Sequence, residues 1–282
     1  MKIRIIKPKY LINILKTIIS YLIYKSSLRF RESYIQKEYK INNNNINIKI
    51  DINQLKEKGY IVIPKYFSEK ACEDIRIDIK DSIEKYPDYT HSGEDKRIFG
   101  IDCLSKSCKI FHDDSNFREI SKFNNRELSY CAFTLGGHLK SGNSGSSGGG
   151  WHRDAFFNQF KAMIYLSDVD LHNGPFEILP GSHKIFNLIS SLSSGSLNYN
   201  QYRIQNRQVE KIENNGLKRD TIIAKAGTVV LFNSATIHRG RPITTGERFT
   251  LTNYYYPISR DYDDLVEQFW PVIKNQNISY NK

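Results

Sequence analysis

The chain of 282 residues lacks most of the features that assign a function quickly. It has four cysteines, Cys72, Cys103, Cys108 and Cys131, and no C-x-x-C. Their irregular spacing excludes a disulfide scaffold, and Cys103-x4-Cys108 has no second pair to complete a zinc site. Free thiols fit a reducing compartment, so a cytoplasmic location is expected. No G-x-G-x-x-G opens a βαβ unit and no G-x-x-x-x-G-K-[ST] occurs, which excludes the common dinucleotide and phosphate cradles. There is no internal repeat.

Acidic residues are also short, 30 against 41 Lys and Arg, for a net charge of +11. The imbalance is local. Residues 1–40 hold ten Lys or Arg against Glu32 and Glu38, a net of +8, which leaves +3 for all the rest. A nucleic-acid binder concentrates basic charge on its folded domain, so neither DNA nor RNA is expected as a partner.

Within this basic arm lies YLINILKTIISYLIY, residues 10–24. As a helix it would reach about 22 Å, short of the roughly 30 Å hydrocarbon core of a bilayer. Asn13, Lys16, Thr17, Ser20 and Tyr24 form one helical stripe, and Leu11, Ile14, Leu15, Ile18, Ile19, Leu22 and Ile23 cover the remaining surface. A signal peptide does not fit, because Lys16 interrupts the apolar region and no A-x-A-like site follows. Two expectations remain. The helix lies in a membrane interface, a peripheral contact through residues 1–40 at the cytoplasmic face, or it packs on its own domain or a second subunit. The Asn-rich stretch 40–53, KINNNNINIKIDIN, reads as a polar connector. The expected division is an arm and connector over 1–50 and one globular domain over 51–282.

In the globular part YIVIP reads as a buried strand. Ser68 is a helix cap, with Cys72, Ile75, Ile79 and Ile83 recurring at helical spacing to about Tyr86. Beyond it come short apolar segments, YCAFTLGG, FKAMIYLSD, PFEILPG, TVVLFNS and RFTLTNYYY, punctuated by HNGP, PGSH, KAGT and TTGE. That rhythm predicts an all-β core with flanking helices, of barrel or jelly-roll type. GGHLKSGNSGSSGGG reads as a mobile loop, and His138 and His172 are placed in loops.

The chemistry starts from WHRD. On a strand, side chains two apart share a face, so His152 and Asp154 would converge. Alone, H-x-D is more often two exposed polar residues than a ligand pair. His238 follows the strand TVVLFNS, and ten residues later Arg248 and Thr250 share a face of RFTLT. Two neutral imidazoles and one carboxylate suit iron(II) with open positions. Arg248 beside Thr250 offers a charge-assisted grip for a distal carboxylate.

WHRD, NGPFEILPGSHK and GTVVLFNSATIHRG…ERFTLTNYY together resemble the phytanoyl-CoA dioxygenase-like branch of the iron(II)/2-oxoglutarate oxygenases. The resemblance covers roughly residues 51–257 and is most specific over 151–257. It implies a double-stranded β-helix with His152, Asp154 and His238 as iron ligands. Arg248 and Thr250 would hold the far carboxylate of the 2-oxoglutarate cosubstrate. It also implies consumption of O2, release of succinate and CO2, and hydroxylation of a small-molecule, glycan or lipid-linked substrate. Halogenating relatives carry a small residue in place of the carboxylate, so Asp154 favours hydroxylation. The competing expectation is a non-catalytic jelly-roll binding module, or a relict oxygenase scaffold tethered to a membrane by its arm. His183, in PGSH, is expected to stabilise a turn, and Trp151 and the YYY run to be core and wall.

Overall fold

A computed structural model of the chain describes residues 8–27, 38–87, 90, 95–125, 129–142 and 150–258. Eleven strands are present among them: β1 (Glu38–Asn42), β2 (Asn47–Asp51), β3 (Tyr60–Ile63), β4 (Asp95–Phe99), β5 (Ser129–Lys140), β6 (Phe160–Tyr165), β7 (Phe176–Ile178), β8 (Asp220–Ile222), β9 (Val229–Asn233), β10 (His238–Gly240) and β11 (Glu247–Pro257). The helices are α1 (Pro8–Ser27), α2 (Asn53–Glu57), α3 (Glu69–Lys85), α4 (Lys106–His112), α5 (Ser115–Asn125), α6 (Ile185–Ser193) and α7 (Asn206–Asn214).

Two antiparallel sheets carry the architecture. The larger has the order β3-β9-β6-β11-β5-β4 and the smaller β10-β7-β8. With helices flanking them, this is the jelly-roll double-stranded β-helix that the segment rhythm predicts. Each strand of the large sheet sorts its residues by the two-residue period. Phe160, Ala162 and Ile164 of β6, Val229 and Leu231 of β9, and Phe249, Leu251 and Tyr255 of β11 enter one core with Cys72, Ile75 and Ile79 of α3. The alternate residues Met163, Tyr165, Val230 and Phe232 face the small sheet and pack with Phe176, Ile178 and Ile222. The polar residues of that inner face, Lys161, Arg248, Thr250 and Thr252, line a cavity between the sheets.

The α3 boundary follows its cap, since Ser68 accepts a hydrogen bond from the Ala71 amide at 3.2 Å. Three expectations are corrected. The connector at 40–53 contains the hairpin β1–β2, whose Ile41 and Ile50 enter the large core with Phe117 and Ile120 of α5. Alternate residues of that Asn-rich stretch are Ile, which is enough to bury one face of a short ribbon. The first part of the glycine-serine run, Gly136–Lys140, belongs to β5 and pairs with both β4 and β11. Residues 143–149 of that run lie outside the described residues. His138 is therefore in a strand rather than a loop. It is buried, meets the Glu247 carboxylate at 2.7 Å and stacks on Phe249.

Helix α1 packs on α6. Ile14 joins Leu188, Leu192 and Trp151 in a separate cluster, and Thr17 is fully buried. Among the described residues no helix is long and apolar enough to cross a membrane.

Candidate metal centre

His152 does not sit in a regular strand, as the same-face argument assumed. It forms an isolated bridge, exchanging both backbone hydrogen bonds with His238 at 2.9 Å each way. Asp154 lies in a bend just beyond, its amide donating to the Ser234 carbonyl at 3.0 Å. The bridge achieves what the strand was expected to do. It sets the two imidazoles side by side, ring centroids 4.4 Å apart, at the first residue of β10. β10 in turn pairs with β7, where His238 lies opposite Ile178.

The three side chains converge. Ligand atoms of His152, Asp154 and His238 all lie within 4.8 Å of one another. His152 Nε2 is 3.7 Å from Asp154 Oδ1, and His238 Nε2 is 3.2 Å from Asp154 Oδ2. The far side of each ring is also fixed. His152 Nδ1 is 2.8 Å from the Gly150 carbonyl, and His238 Nδ1 is 2.7 Å from the Thr236 carbonyl. A carbonyl oxygen only accepts, so Nδ1 donates in both rings, and each Nε2 faces the carboxylate. Carbonyl-anchored imidazoles of this kind are how proteins preset histidine ligands.

Electrostatics favour the same state. Burial, with the neighbouring His238 adding to it, lowers the His152 pKa to about 3, so the ring is neutral at physiological pH. Burial would raise the Asp154 carboxyl, but the Lys161 ammonium and the two imidazoles outweigh it and hold the group well below the usual carboxylate range. For Lys161 burial opposes the charge, and Asp154 outweighs it, lifting the ammonium to about 12. Two imidazole nitrogens and one anionic oxygen on one side of a point are the donor set of a divalent metal with open positions. The residues fit iron(II).

Sequence reasoning missed Lys161. Its Nζ lies 2.8 Å from Asp154 Oδ2 and 3.7 Å from the centroid of the Tyr254 ring, and the side chain is 4% exposed. The signal was a lysine inside FKAMIYL, an otherwise apolar strand, where a solvent-facing position is hard to arrange. Arg97 of β4 was missed as well. It lines the same cavity and pairs with Asp95 through both carboxylate oxygens.

The cavity measures about 610 Å³ and is lined by the triad, Lys161, Arg248, Thr250 and aromatic walls that include Phe156, Tyr165 and Tyr202. Arg248 is 4% exposed, and its Nε and Nη1 have no hydrogen-bond partner. Burial lowers its pKa from the ordinary guanidinium value. Leaving buried donors unmade costs roughly 1–3 kcal/mol per group. A guanidinium so placed, with a cavity before it, is a receptor for a carboxylate. Gly174 permits this placement. Its φ is +77°, and a Cβ there would meet the Arg241 carbonyl at 2.5 Å and Arg248 Nη1 at 3.1 Å.

Other sequence readings fall where expected or nearby. His183 lies 3.1 Å from the Lys56 carbonyl and 3.0 Å from the Thr236 hydroxyl, joining the PGSH turn to the segment before His238. Trp151 is buried between α1 and α6, with the Arg239 guanidinium 4.5 Å over its ring. Tyr255 is core, while Tyr254 and Tyr256 line the cavity. His172 is exposed.

Comparison with known proteins agrees with this arrangement. The family model described as phytanoyl-CoA dioxygenase (PhyH) matches residues 55–249. An ectoine dioxygenase of Stutzerimonas stutzeri (strain A1501) is 23% identical over 212 residues, 66% of this chain and 69% of that protein. Among solved structures, EctD from S. alaskensis with bound Fe superposes with a TM-score of 0.60 at 16% identity, covering 81% of this chain and 84% of that one. The epimerase SnoN in complex with Fe3+, alpha ketoglutarate and nogalamycin RO gives a TM-score of 0.58 at 13% identity, covering 78% and 89%.

Proposed function

The chain belongs to the phytanoyl-CoA dioxygenase (PhyH) family and is a 2-oxoglutarate-dependent dioxygenase; from that premise we propose that it hydroxylates a small-molecule, glycan or lipid-linked substrate at iron(II) held by His152, Asp154 and His238. The observation that carries the reading is the convergence of two Nδ1-anchored imidazoles and one carboxylate on the wall of a cavity that also holds an unpartnered guanidinium.

When bound, iron and 2-oxoglutarate supply O2 activation and the oxidative decarboxylation that yields succinate and CO2. The chain's residues do the rest. The Gly150 and Thr236 carbonyls hold the two rings by Nδ1 so that each Nε2 is turned toward Asp154. Lys161 takes one side of the Asp154 carboxylate and fixes its orientation. Arg248, with Thr250 two residues on along the same face of β11, is the receptor for the distal carboxylate of 2-oxoglutarate. Aromatic walls line the space where the substrate's C–H bond must lie, and a cavity of about 610 Å³ suits a small molecule or the end of a larger one. The four free cysteines support placing the chain in a reducing compartment.

The test is anaerobic reconstitution with iron(II) and 2-oxoglutarate, then admission of O2 with fractionated metabolite and lipid extracts. The expected result is succinate release that needs all three components, together with a product heavier by one oxygen atom. Tight iron binding without succinate, in any extract, would instead favour a binding module.

A further inference from the structure

Helix α1 is turned the opposite way from an ordinary surface helix. Its small and polar residues face the protein. Thr17 is fully buried, Ser20 shares a 2.9 Å hydrogen bond with Tyr199, and Tyr24 stacks on Phe157 at 4.6 Å between centroids. Apart from Ile14 and Ile18, its large aliphatic residues face outward. Leu11, Ile12, Leu15, Ile19, Leu22 and Ile23 are each between 50% and 63% exposed. At 3.6 residues per turn these six fill one stripe about 120° wide. Monomeric proteins rarely leave a contiguous apolar patch beyond about 300–600 Å² bare, and six half-exposed aliphatic side chains along one helix reach that range.

Charge says what covers the stripe. Lys16 and Lys25 stand at its two edges, each near the ring of a tyrosine, Tyr199 and Tyr21. The surrounding segment 1–40 carries a net +8. A second copy of the chain seated on this face would bring the same cations against each other. An anionic lipid surface would take the aliphatic residues among its acyl chains and the lysines among its head groups. The helix cannot go through the bilayer, because no described helix is long and apolar enough.

We propose that α1 docks the protein on an anionic membrane surface through Leu11, Ile12, Leu15, Ile19, Leu22 and Ile23. The docking helix touches the wall of the candidate site. Tyr21 and Tyr24 cover Phe157, which meets Phe156 edge-on at 5.1 Å, and Phe156 lines the cavity. Helix α1 thus lies one aromatic residue, Phe157, from the cavity wall. The proposal does not depend on the oxygenase reading.

The experiment is co-sedimentation of the full chain with vesicles of phosphatidylcholine alone or of phosphatidylcholine and phosphatidylserine at about 2:1. The wild-type chain is expected to sediment with the mixed vesicles, less with the neutral ones, and less again as salt is raised. The double variant Leu15→Ser, Ile19→Ser is expected to lower the bound fraction about tenfold or more while circular dichroism and melting temperature stay unchanged, since both residues are exposed. Wild-type protein left in the supernatant with both vesicles overturns the proposal. So does a double variant that binds as well as wild type. Analytical ultracentrifugation showing a wild-type dimer, dispersed by the same two substitutions, would assign the face to a second copy and overturn it too. Succinate release, measured on both proteins, reports separately on the oxygenase reading.

Discussion

Removing Asp154 from the metal-free chain should cost more stability than removing Lys161, and removing both should cost less than the sum. The pair is separated by 2.8 Å. At an effective dielectric of about 20, Coulomb attraction at that distance is about 6 kcal/mol. Desolvating each charge costs several kcal/mol, so the pair as a whole contributes little net stability. Each half alone is another matter. In Asp154→Ala, Lys161 is left as a cation whose side chain is 4% exposed, and a stranded buried charge costs about 3–5 kcal/mol. In Lys161→Met, the remaining Asp154 is 27% exposed and faces the cavity, where water can solvate it, so the cost falls to about 1–3 kcal/mol. The double variant strands nothing and should recover at least about 2 kcal/mol of the summed loss. The assay is urea unfolding of chelator-treated protein, comparing midpoints at constant slope. Additive costs, or an Asp154 variant as stable as wild type, would refute the claim that Lys161 is held in place by this carboxylate.

His238→Ala should reduce iron(II) affinity by more than the 10–100-fold typical of disturbing a ligand's hydrogen-bond partner, measured by anaerobic titration, and should abolish succinate release. Arg248→Lys should raise the KM for 2-oxoglutarate by roughly 10–150-fold with a smaller change in kcat, because an ammonium cannot reproduce the paired donors of a guanidinium. An unchanged KM would remove Arg248 from the cosubstrate's binding site. The metal-free chain should lose stability on acidification. His152 is held down to about 3 and His183 to about 4, both chiefly by burial, below the ordinary histidine value of about 6.5. The unfolded chain therefore binds more protons than the folded one between those values, and the stability present above about pH 6.5 drains away as pH falls toward 3–4. Thermal melts at about pH 7.5 and about pH 5 should show a lower midpoint at the acid value, and a flat profile would contradict this burial.

Much of the fold could be read from the chain because its signals are local. The two-residue alternation in FKAMIYL, TVVLF and RFTLT assigns each side chain to one of two faces before any partner strand is known. The cap at Ser68 and the turn in PGSH are likewise short-range chemistry. The candidate site residues His152, Asp154, His238, Arg248 and Thr250, which the fold brings to one cavity, could be singled out because their motifs are specific when taken together. Where a reading failed, a non-local contact had decided the outcome. The Asn-rich stretch after the arm looked like a connector until α5 offered its isoleucines a surface. His138 looked like a loop residue until β4 and β11 paired with the glycine-rich end of β5 from both sides.

The sequence alone determined the two-residue period of the main strands, the candidate metal ligands and the concentration of positive charge in the arm. The strand period and the charge of the arm are each carried by residues close together in the chain, and the candidate ligands by short motifs around His152 and His238. Tertiary structure alone decided that His152 meets His238 through a single backbone bridge, that Lys161 closes on Asp154, and that α1 turns its polar face inward and its aliphatic face out. A helix sequence defines two faces but not which one is covered. That choice belongs to the surface it lands on, here α6 and the Phe157 ring.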